Sequence, residues 1–422
     1  MSNKKQTLWT KNFTCITSAT VLSIIGGEVM NLPLSLMVFE NTRSTMLSAI
    51  VLICGFLPDV LLSIFVAPFI DKGKKKRWIV GLDALMLMGY LFMGFWVLGH
   101  EFQYLLYVAL SLTMGTISVF YRLAYGAWYP DLIPVGFEQK GYAISGTIYP
   151  LITIVMSPVA TFLYEKVSMS NLFFIVAVIS GISILIESQI QEDTQKYSEE
   201  KDSCQEEKGE NYSFQQYKED IKEGFSYLKN EKGIRNIYSY MAIMSGTSEG
   251  TAIAIQAFYQ TSPVLTVTML GFLKSAEMVG RVLSGFFQYR FDIPARKRYG
   301  ITKFVYITYQ IADMILLFTP YSCMLVNRFI CGGLGTTSAT VRETAVQSYL
   351  PGNIRARVNA LFNAIFSFGS IFFQFFAGIL GEVMPYRAVI LIMGFISLAA
   401  VWGLIIKPDD VNRKVYESVR LA

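Results

Sequence analysis

The feature that most limits how this chain can fold is a series of apolar runs, each long enough to cross a lipid bilayer. A membrane-spanning helix needs about 20 mostly apolar residues. Twelve such runs are present, at 13–38, 45–70, 78–99, 102–128, 141–163, 170–186, 236–259, 266–290, 302–320, 322–346, 357–381 and 386–406. Lipid offers no partner to a bare N–H or C=O, so runs of this length fold as helices that satisfy their own backbone. The expected fold is an all-α membrane protein with twelve transmembrane helices. Several runs exceed the minimum, which implies tilt or ends reaching into the interface. Composition agrees: 53% of residues are hydrophobic and only 16% charged, with mean hydropathy +0.43, whereas a soluble chain carries about a quarter charged residues. The polar start, Met1 to Lys11, and a long first run that ends without a small-residue cleavage site argue against a cleaved signal.

Orientation follows from where lysine and arginine collect. Twelve spans put both termini on one side. With that side cytoplasmic, inner loops and tails hold 28 of the 36 basic residues, and outer loops hold Arg43, Lys166 and Arg387. The net charge of +5 is therefore a topology signal. The basic clusters are short and lie beside the membrane, so they are expected to meet anionic lipid and not nucleic acid. The five cysteines form no CxxC, and His100 is the only histidine. A disulfide framework, a zinc site and histidine proton relays are thus unsupported. No GxxxxGK[ST] phosphate loop appears either. No cofactor or metal is expected, and an enzyme is a poor fit because no nucleophile–base pair is evident.

A shift of about 220 positions superposes several unusual residues. Glu28 in span 1 meets Glu249 in span 7, and Asp71 ending span 2 meets Asp292 ending span 8. Gly115-Thr116-Ile117-Ser118 followed by Arg122 meets Gly335-Thr336-Thr337-Ser338 followed by Arg342. The expectation is two pseudo-symmetric six-helix bundles, 1–186 and 234–422, the second with a short cytoplasmic tail. Duplicated halves are the architecture of secondary transporters with a site at the half–half interface. Residues 187–233 change composition sharply and read as a cytoplasmic linker. In it, Ser213 with Gln216 reads as a capping box ahead of an amphipathic helix carrying Tyr217, Ile221, Phe225 and Leu228 on one face.

Ala67-Pro68-Phe69-Ile70-Asp71-Lys72-Gly73-Lys74-Lys75-Lys76 is similar to the loop 2–3 signature of the major facilitator superfamily, G-x-x-x-D-R-x-G-R-R/K. It departs from that signature at Ala67, Lys72 and Gly73. Pro130-Asp131-Leu132-Ile133-Pro134, Ser157-Pro158 and Glu219 to Leu228 resemble the bacterial macrolide-efflux-type exporter branch. Two exporter hallmarks are weak: Ser111 and Leu112 stand where a span-4 arginine and glycine are usual, and Val155-Met156 precede Pro158 without glycine pairs. The resemblance implies a monomeric transporter in the cytoplasmic (inner) membrane of a bacterium. It also implies a conformational role for Asp71 and, through the repeat, Asp292.

Twelve charged residues fall within or beside the spans, each costing about 2.5–3.5 kcal/mol at a helix centre, so they are expected to face a cavity or one another. Near the cytoplasmic ends lie Asp83, Arg122, Arg342 and Glu343, with Asp71 and Asp292. Pairing there would latch an inner gate. Deeper lie Glu28, Asp59, Glu249, Lys274, Glu277 and Arg281. Lys274, Glu277 and Arg281 share one face of span 8. These six are the candidate substrate- or proton-binding residues of a central cavity, the alternative being a self-neutralised salt-bridge network. Asp313 and Arg328 fit neither group. The leading expectation is proton-coupled export of a small amphiphilic or charged compound by alternating access, with protons as coupling ion. Uptake or facilitated diffusion of a polar metabolite is the second reading. A non-transporting receptor or lipid scramblase on a transporter scaffold is the third.

Overall fold

The computed structural model describes residues 7–71, 75–134, 136–191, 223–291, 293–351 and 354–418. Twelve long helices follow the twelve apolar runs. The first six are α1 (Lys11–Thr42), α2 (Thr45–Asp71), α3 (Lys75–Gly99), α4 (Tyr104–Leu132), α5 (Glu138–Lys166) and α6 (Met169–Ser188). The second six are α7 (Lys232–Thr261), α8 (Val267–Arg290), α9 (Ala295–Ile315), α10 (Tyr321–Tyr349), α11 (Arg355–Val383) and α12 (Tyr386–Ala400), and a short α13 (Asp409–Tyr416) follows.

Helix starts are set by local chemistry. Thr10, Ser168 and Thr266 cap α1, α6 and α8 through side-chain oxygens that accept from the backbone N–H three residues on. Pro294, Pro320 and Pro385 sit just ahead of α9, α10 and α12, where a missing N–H costs nothing. Nine helices of the described chain are long and apolar enough to cross a membrane; α7, α8 and α10 fall short because of their polar content. These three are admitted because their polar faces are covered by other helices or turned to a water-filled space.

The two halves repeat one packing scheme. In the first, α2 packs on α4, α1 on α5 and α6, and α3 on α4 and α6; in the second, α8 packs on α10, α7 on α11 and α12, and α9 on α10 and α12. Every pair has its counterpart, as a duplicated six-helix unit requires. Large apolar side chains such as Phe95, Leu105, Phe286, Phe304, Phe368 and Trp402 are exposed around the outside, the surface that lipid covers. In α11, Phe368, Phe372 and Phe375 face outward, while Phe373 and Phe376 pack into the core.

The bundles meet through α5 with α8 and α2 with α11, again a symmetric pair of contacts. At the first contact Pro158 matters. It has no N–H, so the carbonyl of Ile154 one turn earlier loses its helical donor. Ser275 of α8 supplies one across the interface, donating to that carbonyl at 2.6 Å. Gly271 of α8 lies so close to Ser157, Pro158 and Thr161 that a β-carbon there would overlap them. A residue larger than glycine would therefore part the bundles at this point.

The described linker residues 223–230 are helical and rest on the second bundle. Leu228 is buried in its core and Gly224 lies against Leu361, while Phe225 is exposed. The expected capping box at Ser213 and Gln216 lies outside the described residues. Helix α6 runs to Ser188, so Glu187, read from the sequence as the first linker residue, belongs to a membrane helix and is fully buried.

Candidate functional site

The hydrogen bonds between the bundles lie in the half of the molecule remote from the termini. Two of them are carboxylate clamps. Glu165, at the end of α5, accepts from Thr268 N and Thr268 Oγ1, both at 2.8 Å, in the first turn of α8. Glu382, at the end of α11, accepts from Ser44 Oγ at 2.7 Å and Met46 N at 2.9 Å at the start of α2. The first N–H groups of a helix have no internal partner and carry the positive end of its dipole, so a carboxylate from the other bundle satisfies both demands. Between the clamps, Gln256 donates to Ser35 Oγ at 2.9 Å and Gln260 to the carbonyl of Leu36 at 2.8 Å. Among the described residues no cross-bundle hydrogen bond lies near the termini. There Tyr142 and Tyr149 of α5 and Tyr289 of α8 are exposed. Among the described residues the bundles are bonded to each other on the remote side and leave an unbonded opening toward the termini.

The deep charges meet around this opening. Glu28 of α1 is 7% exposed and receives Lys274 Nζ of α8 at 2.9 Å, with Ser157 Oγ at 3.1 Å and Thr153 Oγ1 at 3.2 Å from α5. This is an ion pair between bundles, and the hydroxyls supply the remaining hydrogen bonds that a buried carboxylate needs. Glu277 of α8 accepts from Arg281 Nη2 at 2.7 Å and lies 3.9 Å from Arg328 Nη1 of α10. Arg328 in turn pairs with Asp313 of α9, both almost fully buried. Asp313 and Arg328, left without a group by sequence, thus join the cluster.

Glu249 of α7 differs from the other acids. It is exposed and enters no ion pair among the described residues, while Glu277, Lys274 and Arg281 act on it electrostatically. Arg281 also feels Tyr149 of α5, in the opposite bundle. Residues of α5, α7 and α8 therefore converge on the accessible space between the halves. Counted together, Glu28, Glu249, Glu277 and Asp313 oppose Lys274, Arg281 and Arg328: four carboxylates against three cations, with Glu249 uncompensated.

The other expected site residues are placed differently. Asp59, grouped by sequence with the central charges, pairs with Arg122 across α2 and α4. Both line a separate cavity of about 540 Å³ inside the first bundle. Arg122 takes Asp59 and not Asp83, because Asp83 points into the seam between α3 and α6, where it faces Glu187. Arg342 binds its neighbour Glu343 at 2.8 Å and lies over the Phe362 ring of its own bundle. The side chain of Asp71 and all of Asp292 lie outside the described residues. The structure thus brings Glu28, Lys274, Glu277 and Arg281 to one cluster with Glu249 beside it, and places Asp59, Asp83 and Arg122 elsewhere.

Sequence reasoning did not single out Glu165, Glu382 or Glu187. The clamps had a signal: two acids at corresponding ends of spans 5 and 11, each matched by Ser or Thr at the start of span 2 or 8. Glu187 had one as well, since Ser180, Ser183 and Glu187 share one face of a helix.

Fold and sequence comparisons agree with this geometry. The Major Facilitator Superfamily pattern matches residues 16–319 and 298–420. No curated protein matches the chain in sequence. Among solved structures, a point mutant of the nucleoside transporter NupG superposes with TM-score 0.68 at 14% identity, covering 94% of this chain and 99% of that one. The E. coli xylose transporter XylE, in an inward-open conformation, gives TM-score 0.66 at 11% identity over 93% and 96%. A bacterial homologue of the human lysosomal transporter Spinster, inward-facing and unoccupied, gives 0.62 at 12% identity over 97% and 98%. These likenesses establish the fold. With twelve long helices in two matched bundles, a polar cluster between them and the family pattern along almost the whole length, the chain belongs to the major facilitator superfamily and is a multi-pass membrane transporter, not an enzyme.

Proposed function

We propose that this protein exports a small compound with a cationic group, in exchange for protons, from the side on which both termini lie, that side being cytoplasmic. One observation carries the reading: Glu249 is the single acid of the central cluster without a cation partner, and it is accessible from the opening. A carboxylate in that position is neutralised either by a proton or by the cationic group of a cargo. Competition of the two for one site is the simplest physical basis of antiport. The clamps Glu165 and Glu382 serve as the remote gate, which opens when the bundles rock about the α5–α8 and α2–α11 contacts. Charges near the termini, including Asp71, Asp83, Arg122, Asp292 and Arg342, belong in this reading to the gate that forms when the opposite side opens. The placement of basic residues supports cytoplasmic termini, and the resemblance of the motif after span 4 to an exporter branch supports export across a bacterial inner membrane.

Purified protein in liposomes with an imposed pH gradient tests this, using a panel of organic amines. Glu249→Gln should abolish gradient-driven flux and weaken amine binding and counterflow together, because it removes the carboxylate for which proton and amine compete. Flux indifferent to the gradient and to Glu249→Gln, Glu28→Gln and Glu277→Gln would end the proton-coupled reading. A second reading, uptake of a neutral polar metabolite, draws support from the hydroxyls beside Glu249, where Ser248 Oγ and Tyr309 OH lie 3.3 Å apart. Gradient-driven accumulation of sugars or nucleosides in place of amines would establish it. Binding without flux would point to a receptor.

A further inference from the structure

The first bundle holds a second charged site, away from the central cluster. Asp83 of α3 is 5% exposed and Glu187 of α6 is 0% exposed. Their carboxylates come within hydrogen-bonding reach of each other. Among the described residues neither enters an ion pair. Two carboxylates in contact inside a bundle repel strongly in so poor a dielectric, and the arrangement is stable only if positive charge sits between them.

The surrounding atoms are oxygens. Tyr121 of α4 donates to Glu187 Oε1 at 3.1 Å, while Glu187 Oε2 has no hydrogen-bond partner. Ser183, one turn before Glu187 and 1% exposed, lies beside Asp83 with its Oγ also lacking a hydrogen-bond partner. Ser23 of α1 approaches the Tyr121 hydroxyl. Asp83, Tyr121, Ser183 and Ser23 all line the cavity of about 540 Å³, which also holds the Asp59–Arg122 pair and Tyr90. Oxygen atoms of α3, α4 and α6 gather here beside the cavity, two of them on α6 (Glu187 Oε2 and Ser183 Oγ) without a hydrogen-bond partner among the described residues. Oxygens alone are the ligand set of a hard cation. The cation that lines the cavity, Arg122, is already paired with Asp59.

We propose that Asp83, Glu187, Ser183 and Tyr121 form a binding site for a small monovalent metal cation, sodium being the ion to test. The ligands are carboxylate and hydroxyl oxygens with no histidine or thiolate among them, which favours alkali and alkaline-earth ions over transition metals. The cation ties α3 to α6 and α4, and so fixes the shape of the first bundle. The site goes beyond the proton-exchange reading, because it shares no residue with Glu249 and its cluster.

The test is thermal unfolding of the full-length protein in detergent at fixed pH and ionic strength, with sodium, potassium or choline chloride, alongside ²²Na⁺ binding to the same preparation. Sodium should raise Tm by several degrees in a saturable way, and choline should not. Asp83→Asn and Glu187→Gln should abolish both the shift and ²²Na⁺ binding, Ser183→Ala should weaken binding several-fold, and Glu249→Gln should leave both unchanged. If either carboxylate variant does not fold, Ser183→Ala and the wild-type ²²Na⁺ isotherm still decide. Absence of saturable ²²Na⁺ binding, or a Tm that follows pH but not sodium, would overturn the proposal and leave a shared proton in its place. Loss of sodium binding in Glu249→Gln would also overturn it, by moving the ion to the central cluster.

Discussion

Glu28 and Glu249 occupy the same position in the two repeats, yet their surroundings are opposite. Glu28 is buried, held by Lys274 and two hydroxyls, whereas Glu249 is exposed and enters no ion pair among the described residues. The difference lies in the helix that each would use as a partner. Glu28 finds Lys274 on α8, but the corresponding stretch of α2 carries Leu52 and Ile53. Duplication reproduced the carboxylate, and divergence of one neighbour decided whether it became a structural bond or a free acid. The same contrast runs through the bundles. The second compensates its buried acids Asp313 and Glu277 with arginines, while the first sets Asp83 against Glu187.

The strongest way to break this contrast is to remove a compensating base. Arg328→Met strands Asp313, which is 4% exposed, and should cost about 3–5 kcal/mol, the usual penalty for breaking a buried pair. Thermal unfolding should show a large loss, and adding Asp313→Asn should recover much of it. Recovery of nothing would mean that arginine packing, not charge, is what holds the site. Lys274→Met should turn Glu28 into a second unpaired acid. The loss should be smaller, up to about 3 kcal/mol, because the Lys274 side chain keeps 35% of its exposure. Glu249→Gln should change stability by no more than about 0.5 kcal/mol, having no partner to lose. Equal losses for Lys274→Met and Glu249→Gln would erase the distinction between the mates.

The clamps offer a finer test, since there the two halves agree. Glu165→Gln and Glu382→Gln should each weaken closure of the remote side by about 1–2 kcal/mol, the range for a carboxylate bound to a helix start. Distances between spin labels on α5 and α8, and on α2 and α11, should lengthen in both variants. Lengthening at one contact only would make closure asymmetric. The smallest effect belongs to Asp409, at the start of α13. Hydrogen bonds from Arg413 and Lys303 hold its carboxyl down at about 2, below the ordinary 3.8. A depressed value stabilises the folded form above pH about 4, and the contribution fades as pH falls toward 2. At neutral pH Asp409→Asn should cost under about 1 kcal/mol, because the pair is solvated. Protease sensitivity confined to the C-terminal segment would register it.

Much of the fold was legible in the sequence, because helix formation in lipid is local. Each apolar run satisfies its own backbone, so run length alone sets helix number and approximate bounds. The repeat was legible through Glu28 with Glu249 and Arg122 with Arg342, and the three charges on one face of α8 marked the central cluster. Depth along a helix was readable too, but direction across the bundle was not. Arg122 and Asp83 lie at similar depth, yet Arg122 turns to α2 and Asp83 to α6. Glu187 was hidden because its neighbours from Gln189 onward are polar, which placed it outside the membrane on composition alone.

The sequence by itself determined twelve helices, their duplication and the set of charges that have to be sheltered. Only the tertiary structure decided which charges meet: Lys274 with Glu28 across the bundles, Arg328 with Asp313, Glu187 with Asp83, and, among the described residues, no ion pair for Glu249. The physical reason is range. A helical hydrogen bond joins residues four apart and can be read along the chain, whereas an ion pair between helices depends on how two distant segments cross and rotate, which is set by the packing of all the helices together.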